Sequence, residues 1–289
     1  MALSTLTLSK VHASIAAATT TYDTLLKQLI KGATAAVRNH VKQNIGEVID
    51  TITLANPTVC TCLNHGLTTG DTIVIAGSDS TPTINGSRVV TVLTADTFTV
   101  PVNVTTAGTI AYFSQAITEF YAGNNTPRLP LLQLPVQSIG SVYEDAGAYY
   151  GEASGAFAST TLLTAGTQYC LLRDNGSATE KSTSGLLLRI GSRWPAAQET
   201  LQGMLVGGKV AGLGNIKVTY TPGYEIVPAD IILATNQVVA RLMQSAAMGG
   251  GLASESLDYF SYSRMSAAEE NLAIDGVRKL LSAYTQWVI

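Results

Sequence analysis

Between Asp23 and Val48 the apolar residues Leu25, Leu26, Leu29, Ile30, Ala33, Ala36, Val37, Val41 and Ile45 recur at steps of three and four. That spacing places them on one face of a helix. The pattern predicts a long amphipathic helix, capped near Thr21 or Asp23 and stopped at Gly46, with a shorter helical stretch from Leu8 to Ala18 before it. From Asp50 to Phe113 the period changes to two, in Thr51-Ile52-Thr53-Leu54, Asp71 to Ile75, Arg88 to Val92 and Thr97-Phe98-Thr99-Val100. The turns between them are Asn64-His65-Gly66, Thr69-Gly70-Asp71 and Asn85-Gly86. Short Thr-rich strands of this kind predict a compact all-β insert.

Longer strands are expected at Ile117 to Tyr121, Val136 to Tyr143, Thr167 to Arg173, Gly185 to Ile190 and Asn215 to Tyr220. Two helical patterns close the chain. The first starts at Pro228 and runs through Ile231, Ile232, Val238, Val239, Leu242 and Met243 to the stop Gly249-Gly250-Gly251. The second covers Ala267 to Val288, and a Ser- and Tyr-rich loop from Leu252 to Ser266 lies between them. The expected fold class is therefore α+β: long N-terminal and C-terminal helices packed with a central antiparallel β region, plus an inserted all-β domain. The parts are 1–49, 50–113, 114–248 and 249–289.

Composition narrows the function. Of 289 residues only 13% are charged, against about a quarter in an ordinary soluble domain, while 46% are hydrophobic. The net charge is −3 and the mean hydropathy +0.24. These values exclude a strongly basic nucleic-acid clamp and a disordered chain. No apolar run reaches the roughly 18 residues of a membrane helix, and Met1 to Lys10 lacks a signal-peptide layout. A soluble protein without membrane partners is expected, with a surface covered by other copies or partners, since exposed surfaces normally carry more charge.

Catalytic patterns fail on inspection. Gly203 to Lys209 fits seven positions of a phosphate-binding loop, but Val210 stands where Ser or Thr must hold Mg²⁺, so a glycine-rich hairpin is expected there. His12, His40 and His65 form no metal-binding pair, and Cys60, Cys62 and Cys170 form no C-x-x-C. Gly151-Glu-Ala-Ser154-Gly155 misplaces the serine of a nucleophile elbow. The expectation is no enzyme, no cofactor and no metal.

Several stretches in their order carry a resemblance: Asp23 to Val37; Ile117-Thr-Glu-Phe-Tyr121, leading to Leu129-Pro-Leu-Leu-Gln-Leu-Pro135-Val-Gln-Ser-Ile139; Ser184 to Ile190 before Trp194-Pro195; and Gly214 to Tyr224 followed by Val227-Pro-Ala-Asp230. The chain resembles the phage head-tail connector family, also called head completion or adaptor proteins, over about three quarters of its length. Within the insert, Asn64-His-Gly66-Leu-Thr-Thr-Gly70-Asp71 and Ile84-Asn-Gly86 resemble a small β module named after a half-domain of ubiquitin-activating enzymes. The first resemblance implies a virion protein made in the host bacterial cytoplasm. It implies a homo-oligomeric ring, commonly a dodecamer, docked between the portal protein and a tail protein, with double-stranded DNA passing through the lumen without specific binding.

Interfaces are expected in two places. The helix face with Leu25, Leu29, Val37 and Val41 would pack laterally between subunits of the ring. The segment Gly249 to Ile289, with Tyr259, Phe260, Tyr262, Tyr284 and Trp287, would contact the portal, because aromatic residues are enriched at interface hot spots. A receptor- or carbohydrate-binding β-rich virion protein is the alternative, with Phe98, Tyr112 and Phe113 as the aromatic residues such binding would use.

Overall fold

Residues 2–145, 157–174, 181–195, 205–206, 209–210, 214–247, 254–257, 260–263 and 276–285 are described by a computed structural model. Two units divide the chain: Met1–Phe113 with Glu225–Ile289, and Ser114–Tyr224.

The first unit begins with α1 (Leu6–His12), whose N-terminus is capped by Thr5, its Oγ1 accepting from the Leu8 N–H at 3.1 Å. Helix α2 (Asp23–Val41) has Tyr22 rather than Thr21 or Asp23 at its cap, and Asp23 instead faces the positive end of the helix dipole. It ends five residues before Gly46 would stop it, because Lys42 turns left-handed (φ 56°) and its N–H closes on the Arg38 carbonyl at 2.8 Å. Eight strands follow: β1 (Glu47–Ile49), β2 (Thr51–Ile52), β3 (Thr58–Thr61), β4 (Thr72–Ala76), β5 (Gly86–Val89), β6 (Thr91–Thr94), β7 (Thr97–Val100) and β8 (Ala111–Gln115). They form two four-stranded sheets, ordered β1-β8-β4-β5 and β2-β3-β7-β6.

Fully buried Ile49, Ile52, Cys60, Ile73, Ile75, Ile84, Phe98, Val100 and Phe113 fill the space between the strands. Each such side chain contributes about 1.5–3 kcal/mol of transfer free energy. Arg88 to Val92, expected as one strand, is broken at Val90, which crosses from one sheet to the other. Its N–H donates to the Asp71 carbonyl at 3.0 Å and its carbonyl accepts from Gly70 at 2.9 Å. The turn residues Asn64, Gly66, Gly70 and Gly86 all have positive φ, the backbone state for which Asn and Gly are suited.

The second unit holds β9 (Ile117–Tyr121), β10 (Arg128–Pro130), β11 (Val136–Glu144), β12 (Tyr169–Leu171), β13 (Leu186–Arg189), β14 (Leu205–Val206), β15 (Lys209–Val210) and β16 (Ile216–Pro222). Its sheets are β11-β16-β9 and β10-β13-β12, both antiparallel, around Tyr121, Val136, Val142, Leu187, Trp194, Ile216, Val218 and Tyr220. Gly123 sits so close to Pro195 that an added Cβ would lie 1.8 Å from its carbonyl oxygen. Strands β14 and β15 pair antiparallel, Leu205 opposite Val210 and Val206 opposite Lys209, while Gly203, Met204, Gly207 and Gly208 of the expected glycine-rich hairpin lie outside the described residues.

The chain returns to the first unit at α3 (Ala229–Ala247), which follows Pro228 and packs on α1 and α2. Leu26, Ile30, Ala33, Leu63, Val239 and Met243 form that contact. Buried Asn236 bridges it to the N-terminal segment, its Oδ1 accepting from the Ser4 and Ser9 hydroxyls at 2.5 and 3.2 Å. Strands β17 (Ser254–Leu257) and β18 (Phe260–Ser263) then pair as a hairpin inside the stretch expected to be a loop. Residues 276–281 form a last short helix, α4, continued by a 3₁₀ turn at Ser282–Tyr284. The rest of the helix expected over Ala267 to Val288 lies outside the described residues.

This overturns the expected fold class. Among the described residues the protein is mostly β-sheet with four short helices, and no central sheet is packed between long ones. Helices α2 and α3 pack chiefly on each other, while the strands separate into a two-sheet core and the β17–β18 pair in one unit and into two three-stranded sheets and the β14–β15 pair in the other. The 3.6-residue periods dominate a reading of the sequence because each is long and unbroken. The strands carry more of the structure in pieces of two to nine residues.

Burial has a direct chemical consequence for the cysteines. Cys60 and Cys62 are both 0% exposed, and burial pushes the Cys60 thiol up to about 12 and the Cys62 thiol well above its ordinary range. Since the thiolate is the reacting form, a thiol reagent at pH 8 will label only the partly exposed Cys170 in the native protein, and all three cysteines once denatured. Rapid native labelling of two or more thiols would contradict the packing.

Candidate functional site

Among the described residues, two carboxylates, half-buried Glu119 and buried Glu47, each gather hydrogen-bond donors around them. In the second unit the Tyr121 and Tyr220 hydroxyls both donate to the Glu119 carboxylate, the Tyr220 bond being 2.6 Å, and accept the N–H groups of Leu132 and Gln133 at 3.1 Å each. Burial, with the Glu119 carboxylate beside them, raises both phenols above their usual range. They are fixed as hydrogen-bond donors and do not act as bases. Arg189 makes a two-pronged pair with Glu144 (2.8 and 3.2 Å), donates to the Gln168 carbonyl at 2.7 Å and lies 5.8 Å over the Trp194 ring. Trp194 itself is 0% exposed.

The first unit has a matching closed centre. Glu47, on β1, accepts from the Ala2 N–H and from Arg38 of α2, both at 2.5 Å, and Arg38 also donates to the Gly46 carbonyl at 2.7 Å. Burial raises the Glu47 carboxyl, and the Arg38 guanidinium partly offsets this. His65 is 2% exposed: its Nδ1 accepts from the Leu67 N–H at 3.0 Å, which leaves Nε2 to donate to the Thr94 carbonyl at 2.9 Å. It holds a turn. His12 and His40 are exposed and separate from it. Among the described residues no three His, Cys, Asp or Glu side chains are grouped as a metal site would need.

Every charged side chain from residue 50 to 113 is tied locally. Asp50 accepts from Leu6, Asp71 from the Thr68 N–H and hydroxyl, Asp79 from Thr109 and Ile110, Asp96 from Asn64 and Lys27, and Arg88 donates to the Ile84 and Asn85 carbonyls. What the β2-β3-β7-β6 sheet turns outward is threonine: Thr51, Thr61, Thr97, Thr99 and Thr91, with hydroxyl-to-hydroxyl bonds of 2.8 Å from Thr51 to Thr61 and from Thr94 to Thr97. Phe98 and Phe113, proposed from sequence as carbohydrate-stacking rings, instead pack edge to face inside the core with centroids 5.7 Å apart. Tyr112 is partly buried beside Gly77.

Of the residues assigned to subunit contacts, Val37 and Val41 are 2% and 0% exposed, and Leu25 and Leu29 pack partly buried against the α2–α3 cluster. Their own unit covers them, because the apolar face of α2 meets α1 and α3. Of those assigned to the portal, Tyr284 is partly buried and its hydroxyl donates to Asp230 of α3 at 3.4 Å. Beside it Val277 and Leu281 are buried, so α4 is anchored on its own unit. Phe260 and Tyr262 stand opposite Leu257 and Glu255 in the β17–β18 hairpin. Tyr259 and Trp287 lie outside the described residues.

One surface was missed in the sequence. The outward flank of α2 carries Lys27, Lys31 and, at its end, Lys42, and no Asp or Glu occurs between Asp23 and Glu47. Thr24, Lys27, Gln28, Lys31, Asn64 and Asp96 rim a cleft of about 250 Å³ whose floor includes Ala2, Ile30 and Leu63. The signal was in the spacing: residues four and fifteen apart on a helix share a side.

No family model and no curated protein matches the chain. Chains of solved structures do, two of them as follows. One is the virion of a native gene transfer agent particle, with 11% identity over 98% of this chain and 90% of that chain, and a TM-score of 0.44. The other is the neck of an empty gene transfer agent particle computed with C6 symmetry, with 12% identity over 92% of this chain and 80% of that chain, and a TM-score of 0.38. The chain's structural neighbours are thus virion and neck structures of gene transfer agents.

Proposed function

We propose that this chain is a structural subunit of a phage neck, an adaptor that forms a homo-oligomeric ring between the portal and the tail and extends the DNA channel. The observation that carries the reading is how the segments resembling the connector family come together. Ile117–Tyr121 and Gly214–Tyr224, nearly 100 residues apart, pair strand to strand from Ile117 opposite Tyr220 to Tyr121 opposite Ile216. The helices Asp23–Val41 and Ala229–Ala247 pack on each other although the β insert and the whole second unit separate them in sequence. The polar centres, Glu47 with Arg38 and Glu119 with two tyrosines, suit a scaffold, since both carboxylates are held by donors of their own unit. In this reading the ring is a dodecamer, as in the family it resembles, and the segment from Gly249 to Ile289 reaches the portal.

Removal of the gene from its phage tests this. The reading expects DNA-filled heads and finished tails that stay separate, with joining restored by the gene supplied in trans. Joined particles of normal infectivity would overturn it. Joined particles that fail to adsorb would instead favour the receptor-binding alternative.

A further inference from the structure

The charge on α2 does not follow the rest of the chain. The protein as a whole is acidic, yet from residue 24 to 46 its only charged side chains are Lys27, Lys31, Arg38 and Lys42. At 100° per residue Lys27, Lys31 and Arg38 lie within a sector of about 40° along about 16 Å of helix, and Lys42 follows just past its end. Arg38 is turned to Glu47, which leaves Lys27, Lys31 and Lys42 pointing outward. Lys27 is held only by an exposed pair with Asp96 at 3.3 Å, a contact worth about 0–1 kcal/mol in water. The cleft beside it adds the hydroxyl of Thr24 and the amide of Gln28 to the two lysines.

We infer that this flank of α2 contacts the phosphate backbone of double-stranded DNA, without reading its sequence, and so guides the DNA through the neck. The charge favours a polyanion from outside the protein over a second copy of the chain. The carboxylates that a neighbouring β insert could offer, Asp71 and Asp79, are already bound to Thr68 and to Thr109 and Ile110 of their own turns. Lysine is a point charge on a flexible stem, able to follow phosphates that slide past, and it lacks the fixed fork that lets Arg read bases. Three such contacts per copy are weak at physiological salt, so DNA is held off the wall without being trapped. The inference rests on the neck reading for the source of the DNA.

The test uses the full-length protein and fluorescent duplexes of about 30 base pairs in two unrelated sequences, with affinity read against salt. Three phosphate contacts predict the same affinity for both duplexes and a loss of roughly 40-fold between 50 and 200 mM salt, a log–log slope of about −2.7. The Lys31→Gln/Lys42→Gln variant, whose substitutions are exposed and leave the fold intact, is expected to bring the slope to about −0.9. Asn39→Ala, exposed on the same helix and outside the cleft, is expected to leave it unchanged. No binding by the parent at low salt, or an unchanged slope in the lysine variant, would overturn the inference. So would loss of self-association in that variant with DNA binding retained, which would assign the stripe to a protein contact. These outcomes are separate from the gene-removal result, which reports on the neck reading alone.

Discussion

The Trp194→Ala variant is expected to lose about 3–5 kcal/mol, which lowers the melting transition of the Ser114–Tyr224 unit by about 12–20 °C. Trp194 is the largest fully buried side chain among the described residues. It ties together segments distant in sequence. Its backbone N–H donates to Thr126 and its carbonyl accepts from Asn125, both at 3.0 Å, while its indole N–H reaches the Leu187 carbonyl at 3.4 Å. Arg189 lies over its ring and also holds Glu144. Truncation leaves a cavity among Leu129, Leu187 and Ile216, lined by β-strand residues that cannot collapse without breaking register. Trp194→Phe keeps most of the volume and should cost less than half as much. Calorimetry of the three proteins decides this, and a shift in Trp194→Ala below about 4 °C would show that the unit does not depend on this side chain.

Arg38→Met is the second large effect, about 3–5 kcal/mol at pH 7, because it leaves Glu47 buried at 5% exposure without its cation. The pH dependence distinguishes this from lost packing. Burial already raises the folded-state pKa of Glu47 above the value of about 4.5 that it has when unfolded, and removing Arg38 raises it further. A carboxyl raised in the folded state favours folding while it is protonated, below about pH 4.5. That contribution is lost as pH rises through the folded-state pKa. The variant should therefore be closest to the parent near pH 4 and fall away toward pH 7. The double variant Arg38→Met/Glu47→Leu should recover most of the loss at pH 7, since no buried charge remains. A deficit in Arg38→Met that is independent of pH would contradict the account.

How much of this was legible in the sequence depends on the reach of each interaction. Local signals were plain. The three-and-four spacing from Leu26 to Val41 gave α2 and its buried face, and Asn64, Gly66, Gly70 and Gly86 gave the positive-φ turns. The break at Val90 was invisible because Arg88 to Val92 alternates smoothly through it, and what bends the chain there is hydrogen bonding with Gly70 and Asp71, just before β4. The β17–β18 hairpin was hidden by composition. Phe260-Ser-Tyr262-Ser has the period of a strand, but its serines suggested a loop.

The closed polar centres were illegible, since Glu119 finds Tyr220 and Glu144 finds Arg189 only through sheet pairing. The assignment of Leu25, Leu29, Val37 and Val41 to a neighbouring subunit followed from reading an apolar face without knowing that α1 and α3 would cover it. The low charge has a sharper meaning now. In the β insert Asp71, Asp79 and Arg88 are bonded within the module, Asp50 and Asp96 also reach Leu6 and Lys27 of the preceding helices, and the outward sheet face is rich in threonine.

The proposal that this chain forms a ring docked on the portal, assembling there from small species, is tested most directly by the mass of the purified full-length protein measured alone and after mixing with assembled portal. The account predicts a small species alone and, with the portal, one complex whose added mass is a fixed multiple of 30.2 kDa set by the ring's symmetry. A protein that stays at its own mass in the presence of the portal, with no complex formed, would contradict it.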